Sequence, residues 1–272
     1  MTIFRKIVLG SALLLGLSAA QASTLKSGVL TIGSDMTYPP YNYMEGGKPA
    51  GFDSEFMALL SHQMGLKEQV VDTRFASLIL GIKMNKFDVI SSSMFVTPER
   101  ATQVDFLPYM KTGGALLALK GSTLKLDGPE DLCGKKVSSI KGGAWIARFA
   151  EVTKSYCLPK GLGAIDVREF PTTPEATQAL LSRAVDTLYD DVAVAKAMVD
   201  RTGGRLQISS TSVIYPVVVG LAANKDNKAL LTDLTQAFDA VVANGSYGAL
   251  MKKYNVQMPD AQESSKALVG TL

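Results

Sequence analysis

The chain has 272 residues, of which 47% are hydrophobic, 7% aromatic and 19% charged, a globular balance that excludes intrinsic disorder and low-complexity scaffolds. Lys and Arg number 28 against 25 Asp and Glu, and two of the cations, Arg5 and Lys6, stand at the extreme N-terminus. Without that pair the charge is close to neutral, so the clustered cations that neutralise nucleic-acid phosphates are missing and no nucleic-acid partner is expected.

The first residues read as a secretory signal peptide spanning 1–22. Arg5-Lys6 form a charged start, Ile7 to Leu17 an apolar run, and Ala20-Gln21-Ala22 a small-residue cleavage site before Ser23. The alternative is a membrane anchor, but eleven residues are too few for a hydrocarbon core that needs about 20. An exported protein starting at Ser23 is therefore expected, in the periplasm.

Beyond Ser23, strand and helix signals alternate. Val29 to Gly33 is a short apolar strand, followed by a loop rich in Tyr and Pro from Asp35 to Tyr43. Phe56, Leu59, Leu60 and Met64 have helical spacing, with Asp53 expected to cap that helix. A strand near Val70-Val71, a helix over 75–86 and a strand over 87–91 come next. His62, the single histidine, reads as a solvated helix-face residue. One histidine argues against Ser-His-Asp, Cys-His and His-rich metal chemistry, so no metal or cofactor is expected.

An extended run over 113–120 precedes a second series: strand 136–140, a helix after Gly142-Gly143, strand 165–170, a helix opened by Thr173-Pro174-Glu175, and strand 185–189. The chain is extended again over 213–222. A long amphipathic helix through Leu231, Leu234, Phe238 and Val241 follows, then a shorter one over 247–254 and a polar, frayed tail from Pro259. Alternating strands and helices predict an α/β fold. Two crossings bracketing about 95 residues predict two lobes joined by a two-segment hinge, with a ligand cleft between them. Residues 23–116 and 217–272 would form one lobe and 117–216 the other. Cys133 and Cys157 are expected to pair in an oxidising compartment, closing a loop worth about 3.5 kcal/mol. The alternative is two buried thiols.

Three places could carry chemistry. In Ser92-Ser93-Met94-Phe95-Val96-Thr97-Pro98-Glu99-Arg100, Thr97 suits an N-cap and Pro98 the first helical position. Arg100 then falls where a helix dipole disfavours a cation. Either it receives an anion such as a carboxylate, or it is a solvated surface arginine. The loop Tyr38 to Tyr43 leaves a strand's carboxyl end, the ligand side of an open α/β sheet, though its tyrosines could simply pack on the sheet. Asp190-Asp191 ends another strand, where one carboxylate could meet an ammonium and the other cap the next helix.

Together these pieces resemble the periplasmic polar amino-acid-binding proteins of ABC importers, bacterial extracellular solute-binding proteins. The matching residues are Gly33-Ser34-Asp35, Thr37-Tyr38, Pro40-Tyr41, Gly51-Phe52-Asp53, Asp88-Val89-Ile90, Ser93 to Thr97 with Arg100, Asp131 to Val137, Val185-Asp186 and Asn244 to Tyr247. The resemblance implies a two-lobe, Venus-flytrap α/β fold with two parallel-rich sheets flanked by helices, a monomer that captures an amino acid or amino-acid-like compound and delivers it to a membrane permease. By position, Arg100 would take the ligand carboxylate and Asp190 or Asp191 the ammonium, with the count from Asp186 favouring Asp191. Tyr38, Tyr41 and Phe52 would line the side-chain pocket, Ser93 and the Phe95 backbone would add polar contacts, and Gly143-Ala144 would form the facing turn. Asp35 matches an acid of members that bind basic amino acids.

The chain departs from the pattern at Phe95, where a small hydroxyl residue is usual, at Gly143-Ala144, where a Thr is usual, and at Arg183, where Gly is usual. The first two make the pocket more apolar and set up a conflict with Asp35. The rival reading is an exported enzyme on the same fold, similar to cyclohexadienyl dehydratases. It would need a general acid or base in the cleft. A sensory or docking module is the third.

Overall fold

Apolar strands that stop where Gly, Ser and Asp begin set the frame of the molecule. The computed structural model describes residues 24–270, so the leader read at 1–22 lies outside them. Strand β1 (Val29–Ser34) is buried from Leu30 onward, as a parallel strand covered on both faces must be. A small antiparallel sheet follows, made of β2 (Thr37–Tyr38), β3 (Asn42–Glu45) and β4 (Lys48–Ala50). Helix α1 (Phe52–Gln63) buries Phe56, Met57 and Leu60. It starts at Gly51, whose φ is 106° and where a Cβ would lie 2.3 Å from the Tyr41 carbonyl oxygen, so only glycine fits.

Strand β5 (Lys67–Asp72) pairs with β1 in parallel. The expected helix over 75–86 is shorter, a single tight turn at Phe75–Ser77 and then α2 (Leu78–Lys83). Asn85 takes a left-handed φ of 53° and turns the chain into β6 (Val89–Ile90). After α3 (Pro98–Ala101) comes β7 (Val104–Leu119), 16 residues long. The second series is β8 (Lys136–Ile140), α4 (Trp145–Val152), β9 (Asp166–Phe170), α5 (Thr173–Leu181), β10 (Thr187–Asp191), α6 (Val192–Arg201) and β11 (Leu206–Ile208). Strand β12 (Ile214–Asn224) returns the chain to α7 (Lys228–Ala243), α8 (Ser246–Tyr254) and α9 (Ala261–Val269).

The sheet order β5-β1-β6-β12-β7-β10-β8-β9 explains the two lobes. A parallel set, β5-β1-β6, stands on one side, and a second parallel set, β10-β8-β9, on the other. Between them β12 and β7 run antiparallel to one another and to their outer neighbours. The two predicted crossings are parts of these long strands, and residues 116 and 216, where the lobes were expected to change, lie within them. No helix among the described residues is long and apolar enough to cross a membrane.

Cys133 and Cys157 form the expected disulfide, with Cα atoms 5.4 Å apart. The tail after Pro259 is not frayed. Asp260 accepts from the Glu263 N–H at 2.7 Å while the Glu263 carboxylate takes the Asp260 N–H at 2.8 Å, a reciprocal cap that starts α9. Ala267 then buries against the core, and Glu263 pairs with Lys111 of β7 at 2.9 Å.

Candidate functional site

The carboxyl ends of four parallel strands face one another. β1 runs into Asp35, β6 into Ser91 to Ser93, β8 into Gly142-Gly143, and β10 ends on Asp190-Asp191. Side chains leaving a parallel sheet at this edge have no covering helix, so they meet in the crevice.

Arg100 sits on α3 because Thr97 caps that turn, its hydroxyl accepting the Arg100 N–H at 3.2 Å, with Pro98 at the first helical position. The side chain is not solvated. It is 9% exposed, packs over the Phe75 ring, and donates to the carbonyls of Phe95 at 2.8 Å and, across the cleft, of Gly142 at 2.9 Å. Burial pulls the guanidinium down to about 10, with Glu99 pulling the other way, so it stays charged at neutral pH. Among the described residues, no carboxylate pairs with it in a salt bridge. A buried cation held only by neutral carbonyls has the chemistry to pair with an anion.

The two aspartates divide their work. Asp191 is the N-cap of α6, accepting from the N–H groups of Ala193 at 2.8 Å and Val194 at 3.4 Å. Its oxygens also take the Thr112 hydroxyl at 2.6 Å and the Tyr41 phenol at 2.9 Å. Asp190 accepts the Tyr38 phenol at 2.5 Å and the Thr173 hydroxyl at 3.2 Å. Burial pushes the Asp190 carboxyl up to about 7, against the pull of the Tyr38 bond, and burial also raises Asp191. Burial beside these acids lifts both phenols well above the ordinary tyrosine range, so they remain donors.

Other predicted residues fall in different places. Asp35, Tyr38, Ser93, Phe95, Gly143 and Ala144 meet around a small interlobe pocket of about 10 Å³. Arg100 lines an adjoining groove of about 680 Å³ that shares Phe95, Gly143 and Ala144 with the pocket. Tyr41, Phe52, Asp190 and Asp191 line neither space. Phe52 is the clearest displacement. As the first residue of α1 it points into the core, fully buried and stacked near Phe56 and Tyr109 at centroid distances of 6.3 and 6.1 Å. Asp53 is not a cap either. Its carboxylate receives Tyr109 at 2.6 Å, Asn42 at 2.7 Å and the Ser93 N–H at 2.6 Å, a buried junction that fixes Ser93 in a left-handed conformation.

Sequence reasoning missed Phe75, Ser92, Ile140 and Trp145, which complete the pocket. Phe75 and Ile140 were within reach of the rule already applied to Tyr38, since each sits at or just beyond a strand's carboxyl end. Trp145 opens α4, and its ring stands 5.4 Å from Phe95 and 5.1 Å from Tyr189.

Two α/β lobes joined by two long strands, with a buried guanidinium at the facing strand ends, define a flytrap-type solute-binding protein. The chain belongs to the bacterial extracellular solute-binding proteins, family 3, whose pattern matches residues 30–257. The L-cystine-binding protein TcyJ of Escherichia coli K12 is 26% identical over 229 residues, covering 84% of this chain and 82% of that protein. An ancestral arginine-binding protein, solved bound to arginine, matches with a TM-score of 0.76 at 30% identity, over 84% of this chain and 98% of that one. An ancestral amino-acid-binding protein described as a precursor of cyclohexadienyl dehydratase matches with a TM-score of 0.72 at 28% identity, over 84% and 95%.

Proposed function

We propose that the protein captures an amino acid, or a compound with an amino-acid head group, in the periplasm and delivers it to the permease of an ABC importer. The observation that carries this reading is Arg100, a buried guanidinium satisfied only by backbone carbonyls and facing the interlobe groove. In this reading the ligand carboxylate takes the guanidinium in a bidentate pair. Asp190, whose partners come from both sides of the cleft, takes the ammonium in place of the Tyr38 phenol, while Asp191 stays with its helix. The lobes, changing over at 116/117 and 216/217, stay closed on a ligand when its charged head-group contacts take the place of these direct interlobe bonds, and that gain is made only in the closed form. The protein acts as a monomer and performs no chemistry on its ligand.

The test is isothermal titration of wild type and Arg100→Ala with a panel of free amino acids. Wild type is expected to bind at least one class, and the variant to lose about 2–5 kcal/mol, because the ligand carboxylate is left buried and unpaired. Binding by the variant within a few-fold of wild type would remove Arg100 from the head-group site.

One observation favours a second reading. Asp190 is buried between the lobes, bonded to Tyr38 of one and Thr173 of the other, and burial pushes its carboxyl up to about 7, the acid strength of a general acid or base. Turnover of prephenate or arogenate, lost in Asp190→Asn, would put that reading ahead of transport.

A further inference from the structure

We infer, resting on the amino-acid reading above, that the ligand's side chain is uncharged and apolar, and that Arg74 is the residue that turns basic side chains away. Asp35 faces the pocket and by itself would draw in an ammonium or guanidinium. Its charge is already spent. One carboxylate oxygen accepts the Thr37 hydroxyl at 2.6 Å, the Thr37 N–H at 3.1 Å and Arg74 Nη1 at 3.0 Å, and the other accepts the Phe75 N–H at 2.9 Å. Arg74 is locked in place by Asp72, which takes its other nitrogen at 2.5 Å. A cationic ligand side chain would meet a carboxylate paired with a guanidinium and be repelled by that guanidinium. Buried without a counter-charge, it would carry the desolvation cost unrelieved.

The other polar side chains of the pocket also have partners. Ser92 Oγ accepts the Asp35 N–H at 3.0 Å, Ser93 Oγ donates to Asp53 at 3.0 Å, and the Trp145 indole N–H donates to Ser139. The wall that is left consists of the faces of Tyr38, Phe75, Phe95, Ile140, Ala144 and Trp145. Both lobes contribute to this wall, Tyr38, Phe75 and Phe95 from one and Ile140, Ala144 and Trp145 from the other. A wall dominated by rings and aliphatic groups offers few partners to a polar side chain, so it discriminates against groups that would stay unpaired after burial. This settles the conflict between Asp35 and Phe95 in favour of Phe95.

Titration calorimetry of wild type and Arg74→Gln with leucine, methionine, phenylalanine, arginine, lysine, glutamate and glutamine tests the inference. Wild type is expected to bind an apolar amino acid about tenfold or more tightly than arginine or lysine, about 1.4 kcal/mol or more. Arg74→Gln frees Asp35 and is expected to raise affinity for arginine and lysine by about tenfold while moving apolar ligands by less than about threefold. Equal or tighter wild-type binding of a basic, acidic or amide amino acid would overturn the inference and leave the amino-acid reading standing. So would unchanged basic-ligand affinity in Arg74→Gln. Absence of binding by any amino acid would overturn both. Should Arg74→Gln fail to fold, the wild-type selectivity alone decides.

Discussion

The Tyr38 phenol, carried on the β2–β3 hairpin of one lobe, donates at 2.5 Å to the Asp190 carboxylate at the end of β10 in the other. With the Tyr41 to Asp191 bond of 2.9 Å beside it, the two lobes are clasped by two phenol–carboxylate contacts on adjacent residues. The Asp190 contact doubles as the proposed ammonium site, so closure and ligand capture draw on one carboxylate.

That carboxylate gives stability a pH signature. Its folded pKa of about 7 lies above the ordinary 3.8, so between about pH 4 and 7 the folded chain binds more protons than the unfolded one. Asp190 therefore costs stability progressively as pH rises through that window, and the cost is constant above it. Asp190→Asn removes the cost. Its melting temperature relative to wild type is expected to climb as pH goes from about 5 to about 7. The raised acids Asp53 and Asp191 remain in both proteins, so they largely cancel in the difference. A difference that stays flat across this range would show that Asp190 titrates elsewhere.

A ligand ammonium favours ionised Asp190, which fixes the sign for binding. Affinity for a zwitterionic amino acid should strengthen as pH rises through about 7, and at or below that pH binding should release a proton. Calorimetry in two buffers of different ionisation enthalpy reads this release directly. Equal heats in both buffers at pH 7 would mean that the ammonium lands on another group.

Much of this arrangement was legible in the sequence. Strand and helix signals placed the elements, and the two extended crossings anticipated the long strands of the hinge, because burial on both faces leaves continuous apolar runs. Thr97-Pro98 placed Arg100 correctly because capping is local chemistry. What could not be read was which way a residue at an element boundary faces. Phe52 and Phe75 both follow strands of the same lobe, yet Gly51, with a φ of 106°, turns Phe52 into the core while Phe75 reaches the cleft. The Asp190 and Asp191 roles depend on where β10 gives way to α6, a one-residue question that counting from Asp186 cannot decide. The Arg74 to Asp35 pair joins residues 39 apart in sequence, and no spacing rule connects them.

Asp191→Ala is predicted to unfold more easily than any loss of ligand contact would explain. It removes the α6 cap, about 0.5–2 kcal/mol, and orphans the Thr112 and Tyr41 hydroxyls. A total of about 2–4 kcal/mol is expected by urea denaturation, with Asp191→Asn losing less because it can still cap. A loss below about 1 kcal/mol in the alanine variant would mean that these bonds are replaced by water.

Phe52→Ala separates core from pocket. The ring packs against Tyr41, Phe56, Tyr109, Tyr247 and Tyr254 with no exposure, so truncation should cost about 3–5 kcal/mol of stability. Ligand affinity of the folded fraction is expected to stay within about threefold of wild type. A stable variant with strongly weakened binding would return Phe52 to the pocket.

The disulfide supports the site indirectly. Cys157 is fully buried just beyond α4, the helix whose first residue, Trp145, forms the pocket wall, and the bridge ties that segment to the turn at Pro129–Leu132. Closing a loop with a sequence separation of 24 restricts the unfolded chain by about 3.5 kcal/mol on the chain-entropy account. The double variant Cys133→Ala, Cys157→Ala should lose roughly that much in urea. Reductant should lower the urea midpoint of wild type toward that of the variant and leave the variant's unchanged. If the double variant matches oxidised wild type, the bridge contributes nothing to holding α4 in place, and packing of Phe149 and Trp145 against Tyr189 alone must do so.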